Sequence, residues 1–76
     1  MKIMSANELR RIIEGLQMED RIYVTFKDNE RTVTKWAIFY KNNMNKNFSI
    51  AVWMPSGATE ILKEISIIDI LSIDRV

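Results

Sequence analysis

The last quarter of the chain, "ATEILKEISIIDILSIDRV" (58–76), limits the fold more than any other stretch. It carries six isoleucines and two leucines among acids and serines. Wound as one α-helix, Ile61, Leu62, Ile65, Ile67, Ile68, Ile70, Leu71 and Ile73 would spread round the whole circumference. Such a helix must be buried on every side, and a chain of 76 residues cannot enclose one. Isoleucine also favours the pleated surface of a sheet. The segment therefore divides into two strands, at about 58–66 and 70–76. The join falls near "IID" (67–69), where the alternation slips by one residue. A slip of one exchanges the faces of a strand, so a bend or short 3₁₀ turn is expected there. A helix over 58–66 capped by Ser56 is the alternative.

The rest of the chain supplies one helix and three more strands. Over about 5–17, Leu9, Ile12, Ile13 and Leu16 recur at helical spacing, with Arg10, Arg11 and Glu14 on the other face. Ser5 and Glu8 form a capping-box pattern, with Met4 and Leu9 at its staple positions. Burial of Leu9, Ile12 and Ile13 against the sheet is expected. "RIYVTFK" (21–27) alternates, with Ile22, Val24 and Phe26 on one side and Tyr23, Thr25 and Lys27 on the other. "DNE" (28–30) is a turn. In "RTVTKWAIFYK" (31–41), Val33, Ala37 and Phe39 share one face, and Thr34, Trp36, Ile38 and Tyr40 share the other. The asparagine-rich "NNMNKN" (42–47) is a loop. In "FSIAVWM" (48–54), Phe48, Ile50, Val52 and Met54 share a face opposite Ser49, Ala51 and Trp53, and "PSG" (55–57) turns the chain. These elements form a single domain over residues 1–76. The fold class is α+β and mainly antiparallel β: an N-terminal helix, then a five-stranded sheet, strongly bent or closed into a small barrel.

The element order and the ending "LKEISIIDILSI", with its Asp69-Ile70-x-x-Ile73 close, resemble SH3-like and Sm-like small β-barrel proteins, in which a bend precedes the last strand. "YVTFKDNERTVT" followed by that ending also looks like the YolD-like pattern of small bacterial proteins. The resemblance implies a fold, and for the Sm-like case it implies binding of single-stranded nucleic acid.

Composition removes several function classes. There is no Cys and no His, so disulfides, ordinary zinc sites and Ser-His or Cys-His nucleophile pairs are excluded. Carboxylate pairs remain, Asp69 with Asp74 or Glu60 with Glu64. Catalysis by carboxylates needs a pocket that shifts their pKa, whereas the interior of a sheet this small is filled by side chains. A cap on the bend is the expected role of Asp69. The two glycines stand far apart, so no phosphate loop is present. No enzyme activity, cofactor or metal is therefore expected. Eleven basic and ten acidic residues give a net charge of +1, which calls for neither nucleic acid nor a membrane surface. No apolar run reaches the length of a membrane span, and "MKIMSANELRR" lacks the apolar core of a secretory signal. A cytoplasmic protein is expected.

Binding is left. A chain with 47% hydrophobic residues and no covalent or metal staple is expected to gain stability by homo-oligomerisation. Trp36, Ile38, Tyr40 and Trp53 would form one apolar patch if strands 2 and 3 are neighbours, and aromatic residues of this kind anchor interfaces. The alternative is that the helix covers that patch. Of the two tryptophans, Trp53 is expected to be exposed and Trp36 to be core. Tyr23, Lys27, Lys35 and Lys41 mix cations with aromatics as single-strand binders do, although Lys35 and Lys41 have the opposite parity to Trp36 and Tyr40. The expected function is a small non-catalytic accessory or inhibitor protein, of a kind suited to a bacterium or phage, acting by protein–protein contact. Single-stranded nucleic-acid binding and sequestration of a small nucleotide between subunits are the alternatives.

Overall fold

A computed structural model describes residues 3–76. Helix α1 spans Ala6–Gly15. The Ser5 hydroxyl accepts from the Glu8 amide at 3.2 Å, and the Glu8 carboxylate accepts from the Ser5 amide at 3.1 Å. This reciprocal box satisfies two amides that no helical turn can reach. At the other end the Arg75 guanidinium donates to the Gly15 carbonyl at 2.9 Å, tying the last strand to the helix. Leu9, Ile13 and Leu16 are buried. Ile12 is only half-buried and packs at the margin of the core, because it lies to one side of the line through Leu9, Ile13 and Leu16.

Five strands follow: β1 (Arg21–Asp28), β2 (Arg31–Asn42), β3 (Ser49–Ser56), β4 (Thr59–Ser66) and β5 (Ile70–Arg75). All pairings are antiparallel, and the order is β4-β3-β2-β1-β5. The first four strands meander, and β5 returns to pair with β1. Strands β4 and β5 are the two edges and do not bond to each other, so the sheet stays open and does not close into a barrel. The last quarter of the chain is two strands and not a helix. The 3₁₀ turn η1 (Ile67–Asp69) stands at the expected slip. It is closed by backbone, with the Ile70 amide donating to the Ile67 carbonyl, and among the described residues Asp69 makes no capping hydrogen bond.

The turns explain where strands stop. Asn29 and Glu30 both take left-handed backbone, φ 50° and 70°, as a two-residue type I′ hairpin requires. The β3–β4 turn is Gly57–Ala58, later than the expected 55–57, with Gly57 at φ 63°. Pro55 is thereby inside β3, where its partner is Glu60 on β4 and the ladder to β2 has already ended at Trp53. A residue without an amide hydrogen is tolerated where a ladder bond is not needed.

The core lies on one side of the sheet. Ile22, Val24, Phe26, Ala37, Phe39, Ile50, Val52, Met54, Ile65, Ile70 and Ile73 form a single buried cluster with Leu9, Ile13 and Leu16 of α1. Phe48 does not join it. Its backbone is left-handed at φ 48°, it precedes β3, and it is 51% exposed. Its carbonyl accepts from the Ile67 amide at 2.8 Å, which holds the loop against η1 and turns the ring away from the row formed by Ile50, Val52 and Met54.

Candidate interaction face

The opposite side of the sheet carries the aromatic residues. Ile38 on β2 stands directly across from Trp53 on β3, Trp53 across from Leu62 on β4, and Ile38 across from Arg21 on β1. A single row therefore crosses four strands: Arg21, Ile38, Trp53, Leu62. In the adjacent row Tyr23 stands between Trp36 and Asp74. The Tyr40 and Trp53 rings meet edge to face, with centroids 6.2 Å apart and planes at 64°, a favourable arrangement of ring quadrupoles. The four residues expected to form a patch are thus brought together.

The helix does not cover them. It packs on β5 and η1 from the core side. Trp36, Ile38, Tyr40 and Trp53 are all half-buried, while Tyr23 is 44% and Leu62 47% exposed. Neither tryptophan is core and neither is fully exposed: Trp53 is shielded by the Tyr40 ring, a contact that the small size of Ser49 and Ala51 does not foretell.

A bulge explains that contact. The β2–β3 register shifts between Phe39 and Lys41, leaving Tyr40 as an extra residue. A bulge places two consecutive side chains on the same side of the sheet. Phe39 points into the core opposite Val52, and Lys41 pairs with Ala51 on the outer side. Lys41 therefore shares the face of Tyr40, with its Nζ 5.8 Å from the Tyr40 ring centroid. The parity expected from regular alternation is reversed at this one residue. Lys35 keeps the expected parity, pairing with Val24 and pointing away from Trp36. Lys27 lies beyond the Thr25–Thr34 pair, whose hydroxyls bond at 2.9 Å, and does not join the aromatics. Of the four residues considered for nucleic acid, Tyr23 and Lys41 belong to the face.

Beside the row runs a groove of about 500 Å³, lined by Met18, Glu19, Arg21, Ile38, Tyr40 and Trp53 and reached by Glu60. Met18 is 63% exposed. It comes from the α1–β1 connection, which the Glu19 amide binds to the Phe39 carbonyl at 2.8 Å. Met18, Arg21 and Leu62 are members of the face that sequence reasoning missed. The signal for Leu62 was present in the alternation Glu60-Leu62-Glu64. None was present for Met18, which a loop bond positions. Among the described residues no cluster of three or more acidic side chains is placed to hold a metal ion, and no helix is long and apolar enough to cross a membrane.

An open, helix-backed antiparallel sheet with an aromatic outer face is the class of structure defined here. No family model, curated protein or solved structure matches the chain.

Proposed function

We propose that the chain is a non-catalytic binding protein that works by protein–protein contact through the outer face of its sheet. The observation that carries the reading is the continuous half-exposed row Ile38–Trp53–Leu62, flanked by Tyr23, Trp36 and Tyr40 on the side away from the helix. Aromatic side chains on rigid strands supply contact area at little entropic cost, and such residues dominate interface energetics. Charged groups at the margin, Arg21, Lys41, Glu60 and Glu64, supply a polar rim. The SH3-like or Sm-like resemblance is part of this proposal at the level of outline, and we place the protein in the cytoplasm as an accessory or inhibitor. The test is selection from a random peptide display library against the native chain and against Trp53→Ala. Peptides that bind the native chain and lose binding to Trp53→Ala are expected; peptides indifferent to the substitution, or no enrichment from a chain that is monomeric, would refute the reading.

One observation favours a second reading. The bulge sets the Lys41 ammonium beside the Tyr40 ring on the aromatic face, and a cation beside a stacking ring is the element from which single-strand sites are built. Fluorescence anisotropy of a labelled oligothymidylate tests it. That reading requires binding that weakens steeply with salt and is lost in Lys41→Ala.

A further inference from the structure

We infer that the protein seated on the outer face is a second copy of this chain, packed face to face as a two-fold dimer. The inference rests on the reading of that face as a protein-binding surface and names its occupant.

The argument is the distribution of charge across the face. The row Arg21, Ile38, Trp53, Leu62 spans three strand spacings, or about 14 Å at roughly 4.8 Å each. Its centre is apolar and its two ends differ. On β4 the outward side chains are Glu60, Leu62 and Glu64, so this margin is acidic. At the other end Arg21 and Lys27 of β1 and Lys41 of β2 point outward, against Glu19 beside Arg21 and Asp74 of β5 across from Tyr23, so this side carries a net positive charge. The face is polarised, and a polarised face is complementary to itself when turned by half a rotation.

A two-fold axis parallel to the strands and running between β2 and β3 performs that rotation. It lays β4 of the second copy over β1 and β3 of the second copy over β2. Trp53 of each copy then covers Ile38 of the other, and Leu62 lies on the aliphatic stem of Arg21. The guanidinium falls between Glu60 and Glu64 of the second copy, two carboxylates on either side of Leu62 along the strand, and Lys41 reaches the Glu64 side. Each contact occurs twice, as in every isologous interface. Strands of the two sheets run nearly aligned, one of the two preferred ways in which sheets stack. The other in-plane axis, perpendicular to the strands, would place Arg21 on Arg21 and Glu60 near Glu64, so like charges select against it. Closure by a two-fold axis also makes the assembly a dimer and not a filament.

The test is sedimentation equilibrium of the full chain from micromolar to millimolar concentration, with Arg21→Glu, Glu60→Arg and their equimolar mixture. Both side chains are exposed, so folding is retained, and circular dichroism checks it. The native chain is expected to approach twice its 9.0 kDa mass. Each single reversal sets like charges together twice and is expected to weaken the dimer about tenfold or more. In the mixed pair, the acid introduced by Arg21→Glu meets the base introduced by Glu60→Arg. The native Arg21 and Glu60 that each variant retains meet at the symmetry-related contact, so association is expected to return. A native chain that is monomeric throughout overturns the inference. A dimer indifferent to both reversals, which would form elsewhere, also overturns it, and so does a mixture that stays as weak as its parts. If the native chain is monomeric but display-selected peptides still discriminate Trp53→Ala, the second copy is ruled out and the binding face survives. If neither is seen, both fall.

Discussion

Glu30 holds a left-handed backbone at φ 70° without being glycine or asparagine. A side chain with a Cβ in that region costs about 1–2 kcal/mol, while glycine gives back about 0.5–1 kcal/mol through its freer unfolded chain. The second position of a type I′ turn is the one where glycine is preferred. Glu30→Gly is therefore expected to stabilise the fold by about 0.5–1 kcal/mol, read as a raised urea midpoint with unchanged slope; a lowered midpoint would mean that the Glu30 side chain makes a contact worth more than the strain. Trp53 presents the opposite case. It is half-buried on the outer face and stacked edge-on by Tyr40. Trp53→Ala is expected to cost association about 2 kcal/mol or more, as a central interface anchor does, and to leave the core cluster intact. Comparing its dimer constant with its unfolding curve separates the two effects, and an unfolding loss of about 3–5 kcal/mol would assign Trp53 to the core instead.

At the scale of an element, α1 shows how burial grades a helix. Ile13 is fully buried and Ile12 is half-buried, although the two are neighbours on the same apolar stripe. Ile13→Ala is expected to destabilise by about 2–5 kcal/mol, and Ile12→Ala by clearly less. Equal shifts in midpoint would mean that the helix is rotated from the position described. Strand β2 makes the complementary point. Its bulge at Tyr40 bends the strand and brings Tyr40 and Lys41 to one side, so a single extra residue builds a corner of the candidate face.

For the molecule as a whole, the open sheet sets a gradient of stability. The middle of β1, β2 around Ile38 and β3 as far as Trp53 are bonded on both sides, whereas β4 and β5 each have one free edge. Hydrogen exchange is expected to be slowest for amides of these stretches of β1 to β3 and fastest for the outward amides of β4. If β4 is instead protected as strongly as β2 at high concentration, its edge is covered by another chain. Melting adds an independent measure. A dimer that forms only from folded chains raises the melting temperature with concentration, so dilution should lower it for the native chain, and for Arg21→Glu the same fall should begin at about tenfold higher concentration or above.

What the sequence determined by itself is what local periodicity can encode. The spacing of Leu9, Ile13 and Leu16 with the Ser5–Glu8 box specifies the helix. The alternation of Ile22, Val24 and Phe26 specifies a strand, and the all-round isoleucines of 58–76 are readable as two strands with a bend at 67–69. The membership of Trp36, Ile38, Tyr40 and Trp53 in one patch was legible for the same reason, since it follows once β2 and β3 are neighbours. Tertiary structure alone decided the rest. Which side of the sheet the helix takes depends on how β5 returns to β1 and where Arg75 meets Gly15. The bulge that turns Lys41 toward Tyr40 and the left-handed Phe48 that leaves the core row are settled by partners on other strands. The physical reason is that periodicity along a chain reports which side chains share a face, while register, bulges and the covering of a face are set by backbone hydrogen bonds to residues distant in sequence.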